Sequence, residues 1–414
     1  MRVYLFVLLV AAAVTYLLTP VARWVALRTG AITALRDRDV HAVPTPRLGG
    51  LAMLGGLAIA MAVASQIPFL RGVFEDTGRA WGIVGAAAMV CLLGVADDIW
   101  DLDWMTKLAG QSLAGGFLAL QGVQLYQLPV GDGLFIGSPR LSLFVTVVSV
   151  VVAMNAVNFV DGLDGLAAGV IAIGGTGFFV YTYLLSREST PTDVSNLATV
   201  VIAALVGACL GFLPHNFFPA RIFMGDSGSM LIGLVIASAA IVVTGQIDLQ
   251  NLELVTPRQT VPAFLPILLP IAVLMLPLLD MGLAVIRRVG AGRSPFHPDR
   301  LHLHHRLLEL GHSHRRAVVI MYLWTAVFAF GAAALVLLST TTVLVVLGAA
   351  ALVAALLTLG PLRGRVRAAD PAADSDAGLP VPTDAGTGDT PAAPVDRARR
   401  DTGARADHHE GIHP

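Results

Sequence analysis

Five short polar clusters interrupt an otherwise apolar chain, and each holds groups suited to the chemistry of phosphates. The densest is Asp97-Asp98, followed by Asp101, Asp103 and Lys107. Carboxylates crowded this closely repel one another and call for a cation. Mg²⁺ takes one or two carboxylates and completes its shell with water and phosphate oxygens, so an aspartate pair facing a pyrophosphate is chemically apt. A solvated acidic loop is the plainer alternative.

The second cluster runs Asn155-Ala-Val-Asn158-Phe-Val-Asp161-Gly-Leu-Asp164-Gly165, set between two apolar runs with almost no loop. Polar side chains at membrane depth are costly and usually functional. A spacing of three drifts backward by about 60° per step on an α-helix, so an unbroken helix would set Asn155 and Asp164 on opposite sides. Gly162 and Gly165 offer a break that would gather these groups at one pocket.

The third, Pro214-His215-Asn216 through Arg221-Ile-Phe223-Met-Gly-Asp226-Ser-Gly-Ser229, opens another apolar run. Its small residues would let a phosphate approach the free amides of a helix N-terminus, with Asp226 either in the site or simply capping the helix. In Pro44-Thr-Pro-Arg47-Leu-Gly-Gly50, Arg47 offers a phosphate fork and the glycines permit close backbone approach, unless the segment is only a turn before a span. The fifth cluster lies between Arg287 and Arg316 and contains Asp299-Arg300-Leu-His302-Leu-His304-His305. These histidines lack the partners of a tetrahedral zinc site, which leaves hydrogen bonding to anionic or sugar groups, or a basic loop against anionic lipid. Asp280 reads either as a site residue or as a carboxylate reaching for water.

The elements that must position these groups are membrane spans. The chain has 414 residues, 56% hydrophobic and 13% charged, about half the charged share of a soluble domain. Eleven apolar stretches fall at roughly 3 to 22, 51 to 70, 80 to 96, 108 to 126, 141 to 160, 165 to 185, 197 to 218, 228 to 247, 261 to 279, 317 to 338 and 341 to 360. Backbone in hydrocarbon must satisfy its hydrogen bonds within its own segment, and no alternation suggests a barrel, so the expected fold is all-α: a polytopic bundle of transmembrane helices. With the N-terminus outside, the inward segments carry 21 of the 27 Lys and Arg. That bias places the polar clusters and the C-terminus in the cytosol. The stretch after Met1-Arg2 is long for a cleaved signal and reads as the first span. Cys91 and Cys209 lie inside apolar runs and read as small buried hydrophobes. Residues 1–360 form the expected catalytic domain, and 361–414, rich in Ala, Pro, Asp, Gly and Thr, read as a disordered cytosolic tail.

Taken in order, Pro-Arg-Leu-Gly-Gly, Asp97-Asp98, Asn-x-x-Asn-x-x-Asp-Gly-x-Asp-Gly, Gly-Asp226-Ser-Gly-Ser and His302-x-His-His resemble the motifs of the bacterial polyprenyl-phosphate N-acetylhexosamine-1-phosphate transferases. The His-Leu-His-His segment and the eleventh span are similar to the WecA and TagO branch, rather than to the MraY branch that uses UDP-N-acetylmuramoyl-pentapeptide. The resemblance implies transfer of N-acetylglucosamine-1-phosphate from UDP-N-acetylglucosamine to a polyprenyl phosphate with release of UMP, at the cytosolic face of the plasma membrane, to initiate a cell-envelope polysaccharide. It implies Mg²⁺, with Mn²⁺ as a substitute, held by Asp226 and one of Asp97 or Asp98, the other of that pair activating the lipid phosphate. Asp161 and Asp164 are expected to position the nucleotide or the metal shell. Asn155 belongs to the same substrate-binding set, with Asn158, Asn216 and Phe223 toward the nucleoside, Arg47, Lys107 and Arg221 toward phosphates, and Arg300, His302, His304 and His305 toward sugar and diphosphate. A homodimer is compatible with the family, and no nucleic-acid partner is expected. The rival reading is an ion-coupled transporter, whose acids would lie near the membrane midplane at broken helices.

Overall fold

The computed structural model describes residues 1–32, 44–75, 77–130, 133–136, 138–187, 194–245, 260–292, 294 and 302–360. The tail reading for 361–414 and the Arg300 assignment therefore lie outside the described residues. Fourteen α-helices follow in order among them. They are α1 (Arg2–Thr29), α2 (Gly49–Ser65), α3 (Arg71–Glu75), α4 (Thr77–Trp100), α5 (Trp104–Leu120), α6 (Pro139–Val160), α7 (Leu166–Arg187), α8 (Val194–Asn216), α9 (Gly225–Thr244), α10 (Thr260–Val273), α11 (Met275–Gly290), α12 (Leu303–Glu309), α13 (His314–Ala334) and α14 (Thr340–Leu359). A short antiparallel hairpin between α5 and α6 pairs Gln127–Val130 with Gly133–Ile136, and an isolated antiparallel bridge joins Ile32 to Pro46.

Each of the eleven apolar stretches is helical over most of its described length. By length and composition eight helices can cross a bilayer, and ten if the two bent pairs each count as one span. One pair bends by 93° between α2 and the short helical segment Pro68–Glu75, the other by 70° between α10 and α11. Pro266 and Pro270 lie inside α10, where each removes a backbone donor, and the helix gives way at Leu274. Local signals set several starts. Asp103 caps α5 by accepting from the amides of Met105 and Thr106 at 2.9 Å, and Ser313 and Ser339 cap α13 and α14.

Burial identifies the centre. The apolar window of α9 is 94% buried and that of α14 only 11%, so α9 is the axis and α14 faces lipid. α2, α4, α6 and α8 pack around α9. Their approach is close because small residues stand at the crossings. A Cβ on Gly50 would run into the backbone of Ser227 and Gly228, and one on Gly94 into the backbone of Asp226 and Ser227, so these two glycines clamp the first turn of α9 from either side. Gly94→Val is therefore expected to lower stability by about 1–3 kcal/mol or more, read as a fall in the thermal unfolding midpoint of the detergent-solubilised protein. An unchanged midpoint would show that the two helices do not touch there.

Candidate active site

The first turn of α9 leaves backbone amides without intrahelical partners, and its dipole favours a negative group. The group it receives is Asp98 of α4. The Asp98 carboxylate accepts hydrogen bonds from the amides of Asp226, at 3.1 Å, and Ser227, at 3.3 Å. The turn fits this close approach because Gly225, at φ 70°, has no Cβ to strike the carboxylate. Two amides at the helix end expected to meet a substrate phosphate are thus taken by a protein carboxylate, Asp98 lying four residues beyond the α4–α9 contact at Gly94.

Asp226 is not a helix cap. Its side chain accepts from Asn158 Nδ2 at 2.9 Å and from Lys107 Nζ at 3.1 Å. Asn158 Nδ2 also lies 2.9 Å from Ser229 Oγ, so three motifs distant in sequence meet at one carboxylate. Lys107 in turn lies 2.6 Å from Asp97, whose other oxygen accepts from the Leu102 amide at 2.9 Å. The adjacent aspartates therefore take different partners: Asp98 meets the backbone amides of α9, whereas Asp97 ties down Lys107 and the connection to α5 and lies against the Asp226 side chain.

α6 ends at Val160, and residues 161–165 form a tight turn before α7, with Gly165 at φ 74°. The break expected from the glycines is present, and it turns Asp161 toward Asp98 and Asp226. These three carboxylates, with Arg47, Asn158, Asn216 and Phe223, line one cavity of about 310 Å³. Withdrawal from water, then the proximity of Asp226 and Asp98, pushes the Asp161 carboxyl up to about 8, with Arg47 offsetting part of the rise. Arg47 and Phe223 reach the cavity because the segments that carry them pair, residues 46, 49 and 50 with Phe223 and Met224. Phe223 N donates to Pro46 O at 2.8 Å, Gly49 N to Phe223 O at 3.0 Å and Gly50 N to Met224 O at 3.1 Å.

The donor set suits a hard divalent cation. Among the described residues no three His, Cys, Asp or Glu side chains form a complete metal-binding group. A cation in this cavity would rest on two carboxylates and draw its remaining oxygens from water and substrate, the pattern Mg²⁺ prefers.

Several expected residues stand elsewhere. Asn155 donates to Gln111 Oε1 and Val151 O, both at 2.8 Å, and so joins α6 to α5, one face away from Asn158. Asp164 is buried and accepts from the Ala220 amide at 2.8 Å, anchoring the segment before α9. Asn216 borders the cavity, yet its amide is engaged by Gly165 N and Ile222 O. Lys107 and Asp97 stand behind Asp226, outside the cavity lining. Arg221 borders a different cavity.

The histidine segment reaches the site from the other side. His304 is buried with its ring against Gly162, a residue of the cavity wall. Burial, then the nearby His305, pushes the His304 imidazole down to about 3, and burial also lowers His305, so both are neutral at physiological pH. The group that positions the segment is Asp280, which in the sequence reads either as a site residue or as a carboxylate reaching for water. Its oxygens face His302 Nδ1 at 3.1 Å and the Leu303 amide at 2.8 Å. Its sequence signal was an acid near the end of an apolar run, too general to separate this tether from a carboxylate reaching water.

The sequence profile described as Glycosyl transferase family 4 matches residues 80–245, the stretch from α4 to α9 that supplies Asp98, Asp161 and Asp226. Over 361 residues the chain is 45% identical to the decaprenyl-phosphate N-acetylglucosaminephosphotransferase of Mycolicibacterium smegmatis, a match covering 86% of this chain and 88% of that one. The chain belongs to the polyprenyl-phosphate N-acetylhexosamine-1-phosphate transferase family. Within this family it is also 32% identical to a probable undecaprenyl-phosphate N-acetylglucosaminyl 1-phosphate transferase of Bacillus subtilis, over 77% of this chain and 81% of the relative. A phospho-N-acetylmuramoyl-pentapeptide-transferase of Mycolicibacterium smegmatis is 31% identical over 56% of this chain and 74% of its own. The protein is accordingly a multi-pass membrane transferase, and the transporter reading falls.

Proposed function

We propose that this transferase moves N-acetylglucosamine-1-phosphate from UDP-N-acetylglucosamine to a polyprenyl phosphate. An oxygen of the lipid phosphate attacks the sugar-bearing phosphorus, the bond from that phosphorus to the bridging oxygen breaks, and UMP leaves with the bond's electrons. The observation that carries this reading is the convergence of Asp98, Asp161 and Asp226 with Arg47 on one cavity at the ends of apolar helices. A lipid phosphate is mostly dianionic at neutral pH, so two anions must be brought together, and charge neutralisation matters more than proton removal.

Asp98 and Asp226 are the residues that would hold Mg²⁺, or Mn²⁺ in its place, and the ion would supply charge neutralisation at the pyrophosphate. The α9 amides and Lys107 hold these two carboxylates in fixed orientations, so little reorganisation is needed when substrate arrives. Arg47 is suited to a phosphate fork, Phe223 to stacking on the base, and the His302–His305 segment to hydrogen bonding the sugar. The proposal includes eleven spans, with the N-terminus outside, the C-terminus and the site in the cytosol, and the plasma membrane as the location. The product would begin a cell-envelope polysaccharide.

A panel of UDP-N-acetylglucosamine, UDP-N-acetylgalactosamine and UDP-N-acetylmuramoyl-pentapeptide, offered to the purified full chain with polyprenyl phosphate and Mg²⁺, tests this directly. UMP release and a lipid with the mass of a pyrophosphoryl N-acetylglucosamine are expected from the first donor. Preferential use of the pentapeptide donor would overturn the substrate assignment.

A further inference from the structure

A second cavity, of about 340 Å³, lies on the far side of the segment that precedes α9, bordered by Arg23, Trp24 and Leu27 of α1 and by His215, Arg221 and Ile222. Its composition is the reverse of the catalytic cavity. No acidic residue borders it, while two exposed arginines do, from positions 198 apart in the chain. Two planar forks at one cavity suit a phosphate group. Arg28 adds a third cation, 4.7 Å above the Trp24 ring.

The surroundings are those of a membrane edge. Arg23 follows the apolar run of α1, and Trp24 and Leu27 are exposed beside it, as are Leu9, Tyr16 and Leu17 earlier on the helix. An exposed Trp at a span end marks the level of lipid headgroups, and an exposed apolar helix face below it suits acyl chains. The partition from the catalytic cavity is the chain itself. Ile222 borders this cavity, its carbonyl accepts from Asn216 Nδ2 at 3.0 Å, and the neighbouring Phe223 borders the catalytic cavity. A phosphate held by Arg23 and Arg221 is thus not the one that reacts.

We propose that this second cavity binds the headgroup phosphate of an anionic membrane phospholipid, separate from the acceptor lipid. Native mass spectrometry of the full-length protein in detergent, titrated with phosphatidylglycerol, tests the site without recourse to activity. One retained phosphatidylglycerol is expected, and the Arg23→Gln/Arg221→Gln protein should hold it at least about tenfold more weakly. Arg23→Gln alone, a change at an exposed position, should weaken retention about threefold or more with an unaltered unfolding midpoint, which covers the case of a double variant that folds poorly. Equal retention by wild type and variants, or of phosphatidylcholine as well as phosphatidylglycerol, would overturn the site. Displacement by inorganic phosphate at matched concentration would reassign it to a free anion, and stronger retention of polyprenyl phosphate would reassign it to the acceptor.

Discussion

Asp98→Asn and Asp226→Asn are each expected to lower UMP release by about a thousandfold, the scale on which removal of one preorganised electrostatic group acts in a water-poor site. Both carboxylates face the cavity, and each is already oriented by fixed donors. An amide keeps one acceptor oxygen but loses the charge, and its NH₂ must face a donor: the Ser227 amide in one case, Lys107 in the other. A modest stability cost of about 1–3 kcal/mol should accompany the loss of activity, because one hydrogen bond in each set becomes donor against donor. Initial rates, Mg²⁺ titrations and unfolding midpoints separate the two effects. The double variant should be little slower than either single one, since groups that act as a unit are not additive. Near-normal turnover in either single variant would remove that carboxylate from the chemistry.

Lys107→Met should be the most destabilising single change at the site. The ammonium bridges Asp97 at 2.6 Å and Asp226 at 3.1 Å, and Asp97 is buried. Taking away one member of such a set leaves carboxylates facing each other without compensation, at a cost of about 3–5 kcal/mol. Activity should fall with it, because Asp226 loses the donor that orients one of its oxygens. Adding Asp97→Asn to Lys107→Met should recover part of the lost stability by removing one of the opposed charges, while activity stays low. Unfolding midpoints of the four combinations form the double-mutant cycle. A Lys107→Met protein as stable as wild type would mean that the bridge is not formed in the membrane.

The polar clusters show where the sequence stops being sufficient. Asp97 and Asp98 are adjacent carboxylates of one type, and their different fates arise from the roughly 100° turn between neighbours on a helix, which sets Asp98 on the amides of the first turn of α9 and Asp97 beside Lys107 and the Asp226 side chain. Asn155 and Asn158 sit one turn apart, but the drift of that spacing sends the first to Gln111 and the second to Asp226. Arg221 and Phe223 border different cavities, although only Ile222 separates them. For Asp98, Asn155 and Asn158 the residue type marks a polar position near the membrane surface, and its orientation depends on a partner more than forty positions away.

Fold class and the neighbourhood of the site were legible because hydrocarbon imposes a one-dimensional rule: a span must be a long apolar run, and polar groups at its ends need a reason to be there. That rule supplied the helical stretches, the break at Gly162–Gly165 and all five motifs. The tertiary structure decided which carboxylates share a cavity, that Asp98 accepts from two amides at the end of α9, and that Asp280 holds the histidine segment. Those outcomes depend on which helices touch and at what rotation, set by small residues such as Gly50 and Gly94 packing against backbone far along the chain. Such contacts leave no periodic trace in the sequence.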